Sequence, residues 1–234
     1  MTDFVLIPGA WLGAWAWKRV VPLLEEQGHG AYPVTLTGMG ERVHLADGVG
    51  METATDDVRN VIKFNDLHDF VLVGHSFAGK VAAAVADRES ENVQSIIYLD
   101  AFTPKKVRTP QAAFDPASEY GPPPPGTNAI PLTKETIARI GPDVKGKDFE
   151  LLMSKGTPWP VKLAADPISL SAKFDPIKSA YIFCRQSGDP VDDIVAGKWG
   201  KLDGPYRIMD TGHWPMITKP EELSEDLASL ASAT

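Results

Sequence analysis

One cysteine, Cys184, stands among 234 residues, so no disulfide can close within the chain. Its thiol lies in the apolar run AYIFC (Ala180–Cys184) and reads as buried and inert. Basic residues are outnumbered, 23 Lys and Arg against 31 Asp and Glu, and the two signs are scattered. That excludes the basic stripe a phosphate-rich partner requires, and no nucleic acid is expected. Long apolar runs are missing too. None approaches the roughly 20 residues of a membrane-spanning helix. The short apolar run before Pro8 lacks the basic start and the length of a secretory signal. A soluble, cytoplasmic protein with no membrane partner is the expectation. Histidines and acids show no metal-ligand spacing, so neither a metal nor another cofactor is expected.

What the chain does have is apolar content of 43 %, enough for one sizeable core. Short strand-forming runs recur: FVLI (Phe4–Ile7), YPVTL (Tyr32–Leu36), FVLV (Phe70–Val73), SIIYL (Ser95–Leu99), AYIFC and YRIM (Tyr206–Met209). They are continuous rather than alternating, as strands covered on both faces are. Helical patterns fall at Trp15–Gln27, Thr53–Phe64, Ala78–Arg88 and Pro220–Leu230. The alternation predicts an α/β fold, a mostly parallel sheet with helices on both faces. Its core comprises residues 1–102 and 177–234. The intervening 103–176 holds most of the chain's 20 prolines, helical patches at Thr133–Ile140 and Lys147–Lys155, and no convincing strand. Apolar residues such as Phe149, Leu152 and Trp159 argue against a flexible linker, and the segment is expected to be an inserted helical lid within the same domain.

The stretch FVLVGHSFAG (Phe70–Gly79) ends a buried strand on a hydroxyl flanked by small residues. A strand turning sharply into a helix at Ser76 lifts that hydroxyl onto the edge of the sheet, and Gly74 and Ala78 let neighbouring backbone pass. The alanine-rich helix that follows points its first N–H groups back at Ser76, where its dipole favours negative charge. Ser76 is thus a candidate nucleophile, with the Phe77 N–H as one donor to an oxyanion. In FVLIPGAW, Pro8 cannot donate and Gly9 makes room, leaving the Ala10 N–H as the second donor.

A serine needs a base. Of the five histidines, His213 follows the last strand on the same edge of a parallel sheet, in YRIMDTGHWP, and completes a Ser…Asp…His order. His75 neighbours Ser76, but at a sharp turn its side chain is expected to point elsewhere. Two acids compete to orient the imidazole. Asp189 lies in a polar Ser-Gly-Asp-Pro turn and needs no partner, whereas Asp100 ends the run SIIYL, where an unpaired charge is badly placed. Asp100 is therefore the expected acid and Asp189 the reserve. Trp11, Phe102, Trp159 and Trp214, with Phe77, flank these positions or lie in the lid and are candidates to wall an apolar pocket.

With these motifs in view the chain resembles the α/β-hydrolases, in particular the small group containing plant methylesterases, plant hydroxynitrile lyases and bacterial esterase relatives. The resemblance runs through FVLIPGAWLGAWAW, TLTGMGER, VLVGHSFAG, YLDAFTP, YIFC and TGHWPM, in the family's order. Departures are informative. Pro8-Gly9 replaces the usual His-Gly, and the threonine and lysine of the lyases are Gly9 and Trp214 here, so lyase chemistry becomes a minor alternative. In plant members the acid stands near Ser187, whereas some dehalogenases and lipases place it after the earlier strand, as Asp100 would be. The resemblance implies a cofactor-independent serine hydrolase acting through an acyl-enzyme on a small, mostly apolar ester, with carbamate or lactone as related substrates. A receptor-like member that binds a ligand and turns over slowly is the competing class. Monomer and homodimer are both left open.

Overall fold

The computed structural model describes residues 1–104, 115–198 and 200–234; residues 105–114 of the expected lid lie outside that set. Eight strands are present among the described residues: β1 (Asp3–Ile7), β2 (Gly30–Pro33), β3 (Phe70–His75), β4 (Val93–Leu99), β5 (Ala129–Ile130), β6 (Trp159–Pro160), β7 (Lys178–Cys184) and β8 (Tyr206–Met209). Six of them form one parallel sheet in the order β2-β1-β3-β4-β7-β8. Phe4–Ile7, Phe70–Val73 and Ile96–Leu99 are almost wholly inaccessible to solvent, which is why their sequences are continuously apolar.

The helices follow from the strand order. The chain steps from β1 outward to β2 through the helix Val20–Glu26, then back across the sheet through the helices Met51–Phe64 and Ala78–Arg88. Right-handed crossovers in opposite directions put these helices on opposite faces. Accordingly Met51–Phe64 packs on Ala78–Arg88, and Val20–Glu26 packs on the last helix, Pro220–Ala233. Among the described residues no helix is long and apolar enough to cross a membrane.

Three expectations shift in detail. The second strand forms at residues 30–33 rather than 32–36: Pro33 ends the ladder on an edge strand, where its missing N–H is tolerated, and the Val34 N–H adds one more bond to the Leu6 carbonyl at 3.0 Å. The helix expected over 15–27 splits into a short 3-10 turn, Ala14–Trp17, and a helix that begins at Val20, because Pro22 fits only in a first turn. Between β4 and β7 the helices Lys134–Ile140 and Gly146–Lys155 match the expected patches, but β5 and β6 also pair there as a two-residue antiparallel ladder. This insert touches the core at chosen points. The buried Lys80 ammonium, on the helix after β3, donates to the carbonyls of Ala164 at 3.1 Å and Asp166 at 2.6 Å. The Trp11 indole N–H donates to the Ile130 carbonyl at 2.9 Å, and the Thr157 N–H donates to the Trp11 carbonyl at 2.9 Å.

The sharp exit of β3 demands glycine at position 74. A Cβ there would stand 2.8 Å from the Ala78 carbonyl oxygen and 3.0 Å from the Ala82 Cβ. Gly74→Ala is expected to cost about 1–3 kcal/mol of stability, measured by urea unfolding. A change within experimental error would show that the helix can retreat from the strand freely.

Candidate active site

Because all six strands are parallel, their C-terminal ends share one edge, and every residue singled out for chemistry leaves a strand there. Three non-glycine residues at this edge have positive φ: Trp11 at 67° after β1, Ser76 at 58° after β3 and Asp100 at 43° after β4. Left-handed backbone in bulky or branched residues is disfavoured and persists where surrounding contacts over-determine it. Those contacts are visible. The Ser76 N–H donates to the Leu99 carbonyl at 3.1 Å and the Ser76 carbonyl accepts from Phe102 N–H at 3.2 Å, while the Asp100 N–H donates to the Ile182 carbonyl at 2.7 Å.

Asp100 carries the buried charge. Its side chain is 1 % exposed, and one carboxylate oxygen accepts the His213 Nδ1–H at 2.6 Å. The other accepts the Cys184 N–H at 3.1 Å and the Ser187 hydroxyl at 3.2 Å. Three donors thus surround a carboxylate that would otherwise be destabilising by several kcal/mol. The His213 loop is held from the insert. The His213 N–H donates to the Ile140 carbonyl at 2.8 Å, and the Thr211 hydroxyl two residues earlier donates to Asp143.

Ser76 is half-buried, and Phe77 begins the turn into the helix Ala78–Arg88. The Ala10 and Phe77 N–H groups donate to no protein acceptor among the described residues, although both residues are buried. Both groups belong to the turns after β1 and β3, on the edge where Ser76 stands.

The aromatic residues divide. Trp11, Phe77 and Trp159 form one cluster with Tyr120: Trp11 meets Tyr120 at 5.0 Å and Trp159 at 5.8 Å between ring centres, and Phe77 meets Trp159 at 5.0 Å. The Phe102 ring stands 6.0 Å from the Lys80 ammonium. Trp214 is fully buried, with its ring against Gly141 and edge-on to His213. Tyr120 carried no sequence signal; it reaches the cluster because the helix Pro116–Tyr120 delivers it. Burial and the neighbouring Glu119 hold its phenol well above the ordinary range.

His75 does not point away from the other groups. Its ring is wholly buried 4.6 Å from the His213 ring, accepts the Gly9 N–H on Nδ1 at 3.1 Å and meets the His213 carbonyl through Nε2 at 2.7 Å. The Cys184 thiol is buried and pushed well above its usual pKa by burial and by Asp100, which agrees with an inert role.

A parallel sheet whose first helical turn after a central strand is entered through a strained serine, with a buried Asp–His pair on the same edge, defines an α/β hydrolase. The chain belongs to the alpha/beta hydrolase family, whose model matches residues 4–226. It is 30 % identical to a carbendazim hydrolyzing esterase of a Nocardioides species, over 98 % of this chain and 100 % of that one. It is 27 % identical to methylesterase 9 of Arabidopsis thaliana, over 99 % and 98 % of the two chains. Among solved structures, an extracellular alpha/beta-hydrolase from a Paenibacillus species superposes with a TM-score of 0.80 at 23 % identity, covering 98 % of this chain and 99 % of that one. An Arabidopsis methylesterase gives 0.79 at 20 % identity over 99 % of both chains. The chain is an enzyme of the serine-hydrolase class.

Asp189, the reserve acid, is exposed in the loop beyond β7. Packing around it, and then the charge of Asp100, raise its carboxyl above the usual range. A carboxyl whose pKa is higher folded than unfolded destabilises the fold once ionised, and the penalty fades as pH falls through that raised value. Asp189→Asn is therefore expected to raise the melting temperature near neutral pH, with the gain vanishing below the ordinary carboxylate range. A gain that persists undiminished in acid would rule out this electrostatic cause.

Proposed function

We propose that this enzyme is a cofactor-independent esterase in which Ser76, His213 and Asp100 act as a catalytic triad. The observation that carries the reading is the 2.6 Å bond from His213 to a buried carboxylate on the sheet edge where Ser76 leaves β3. With Nδ1–H given to Asp100, Nε2 of His213 is the basic nitrogen. It takes the Ser76 proton as Oγ attacks the ester carbonyl. The tetrahedral oxygen is received by the Ala10 and Phe77 N–H groups, which have no protein acceptor among the described residues. His213 then returns the proton to the leaving alcohol, and water repeats the sequence on the acyl-serine.

The segment 103–176 serves as the lid, and Trp11, Phe77, Tyr120 and Trp159 make the wall against which a small, mostly apolar acyl or alcohol group packs. Carbamates and lactones belong to the same reading, and carbendazim joins the assay panel because a full-length relative is named for hydrolysing it. A cytoplasmic location completes the proposal.

Purified protein is expected to turn over p-nitrophenyl acetate or butyrate, and Ser76→Ala to abolish it. Asp100→Asn should lower kcat by about 10²–10⁴-fold while Asp189→Asn does little. The reverse ranking would move the acid to Asp189. Ligand-induced stabilisation with no turnover in wild type would establish a receptor instead.

A further inference from the structure

We infer that His75, resting on the esterase reading above, is a positioning residue: its neutral imidazole ties the oxyanion turn to the catalytic base and fixes the Ala10 N–H and the His213 ring relative to Ser76. The ring joins backbone groups 66 and 138 residues away from it.

Its two partners determine its chemistry. A backbone N–H can only donate, so Nδ1, 3.1 Å from the Gly9 nitrogen, must accept. A carbonyl can only accept, so Nε2, 2.7 Å from the His213 oxygen, must carry the proton. One tautomer without charge satisfies both. Complete burial, followed by the neighbouring His213, holds the ring well below its ordinary pKa and agrees with that state.

The geometric consequence reaches the proposed oxyanion donor. The Gly9 N–H is held by His75, and the Gly9 carbonyl accepts the Leu12 N–H at 3.4 Å. The peptide joining Gly9 to Ala10 is planar and trans, so fixing that carbonyl fixes the opposed direction of the Ala10 N–H. No side chain is tolerated in the bridge: a Cβ on Gly9 would lie 2.5 Å from His75 Nδ1 and 2.9 Å from the Ser76 Cβ. At the other end His75 grips the carbonyl of His213, while the Ile140 carbonyl holds its N–H and Asp100 its ring. Ser76, joined directly to His75, completes the set. One ring therefore sets the mutual placement of nucleophile, base and oxyanion donor.

Had the ring mattered only as packing against His213, a hydrophobic residue would serve as well. The test is steady-state kinetics on p-nitrophenyl butyrate, with melting temperatures, for His75→Leu and His75→Asn. Leucine removes both bonds; asparagine keeps a carbonyl where Nδ1 accepts from Gly9. His75→Leu is expected to lower kcat by about 10²-fold, the scale of a lost oxyanion donor, with KM changing less than about threefold. His75→Asn should recover at least about tenfold of that loss. A kcat for His75→Leu within about threefold of wild type, or equal losses in both variants at equal melting temperature, would overturn the role. If His75→Leu does not fold, nitrogen NMR of the wild type decides: a neutral ring protonated on Nε2 between about pH 5 and 8 is expected, and a cationic ring refutes the bridge. An inactive wild type sinks the esterase reading together with this role, whereas an active wild type with an indifferent His75→Leu sinks the role alone.

Discussion

A central strand that must become a helix within two residues imposes its geometry on everything around it. At Ser76 the backbone adopts φ 58°, a region that costs a non-glycine residue of order 1–3 kcal/mol. The turn persists because β4 runs alongside: Leu99 accepts the Ser76 N–H, and the chain leaving β4 returns an N–H to the Ser76 carbonyl. Small residues at 74, 78 and 82 then let helix and strand approach to contact distance. The strain lies in the backbone of this half-buried serine, as in that of Trp11 and Asp100, and the cost is borne by the packing of a sheet whose middle strands exclude water.

The second constraint is the buried carboxylate. Asp100 is accepted into the interior because a histidine, an amide and a hydroxyl all donate to it. One of those donors comes from the end of β7, one from the loop after it and one from the loop after β8, so a polar cluster cements three neighbouring strands at their C-terminal ends. Breaking any one contact leaves charge in a medium that solvates it poorly. Asp189, by contrast, has no such set of donors among the described residues, and the charge of Asp100 disfavours its ionisation.

Much of this was legible in the residues. Continuous apolar runs mark β1, β3, β4 and β7 because both faces of those strands are covered, and the edge strand β8 coincides with YRIM although only Met209 is buried there. At the edge, YPVTL misled by two residues: one covered side and a proline weaken the pattern. Ser76, Asp100 and His213 were readable because each follows a strand and breaks its apolar logic. His75 was not, since what singles it out is a pair of backbone partners remote in sequence, and backbone groups leave no trace in side-chain identity. The β5–β6 pairing was equally hidden, two residues being too few to show a period.

The Trp11 peptide has a broader consequence. Its carbonyl and its indole are both held by the insert, at Thr157 and Ile130, while the residue before it carries a proposed oxyanion donor. On the proposed reading, recognition and reactivity share one stretch of main chain. A lineage that remodels the insert to accept a different acid or alcohol also perturbs the geometry that governs rate, so new selectivity in this scaffold arises most readily through changes that leave those two anchors undisturbed.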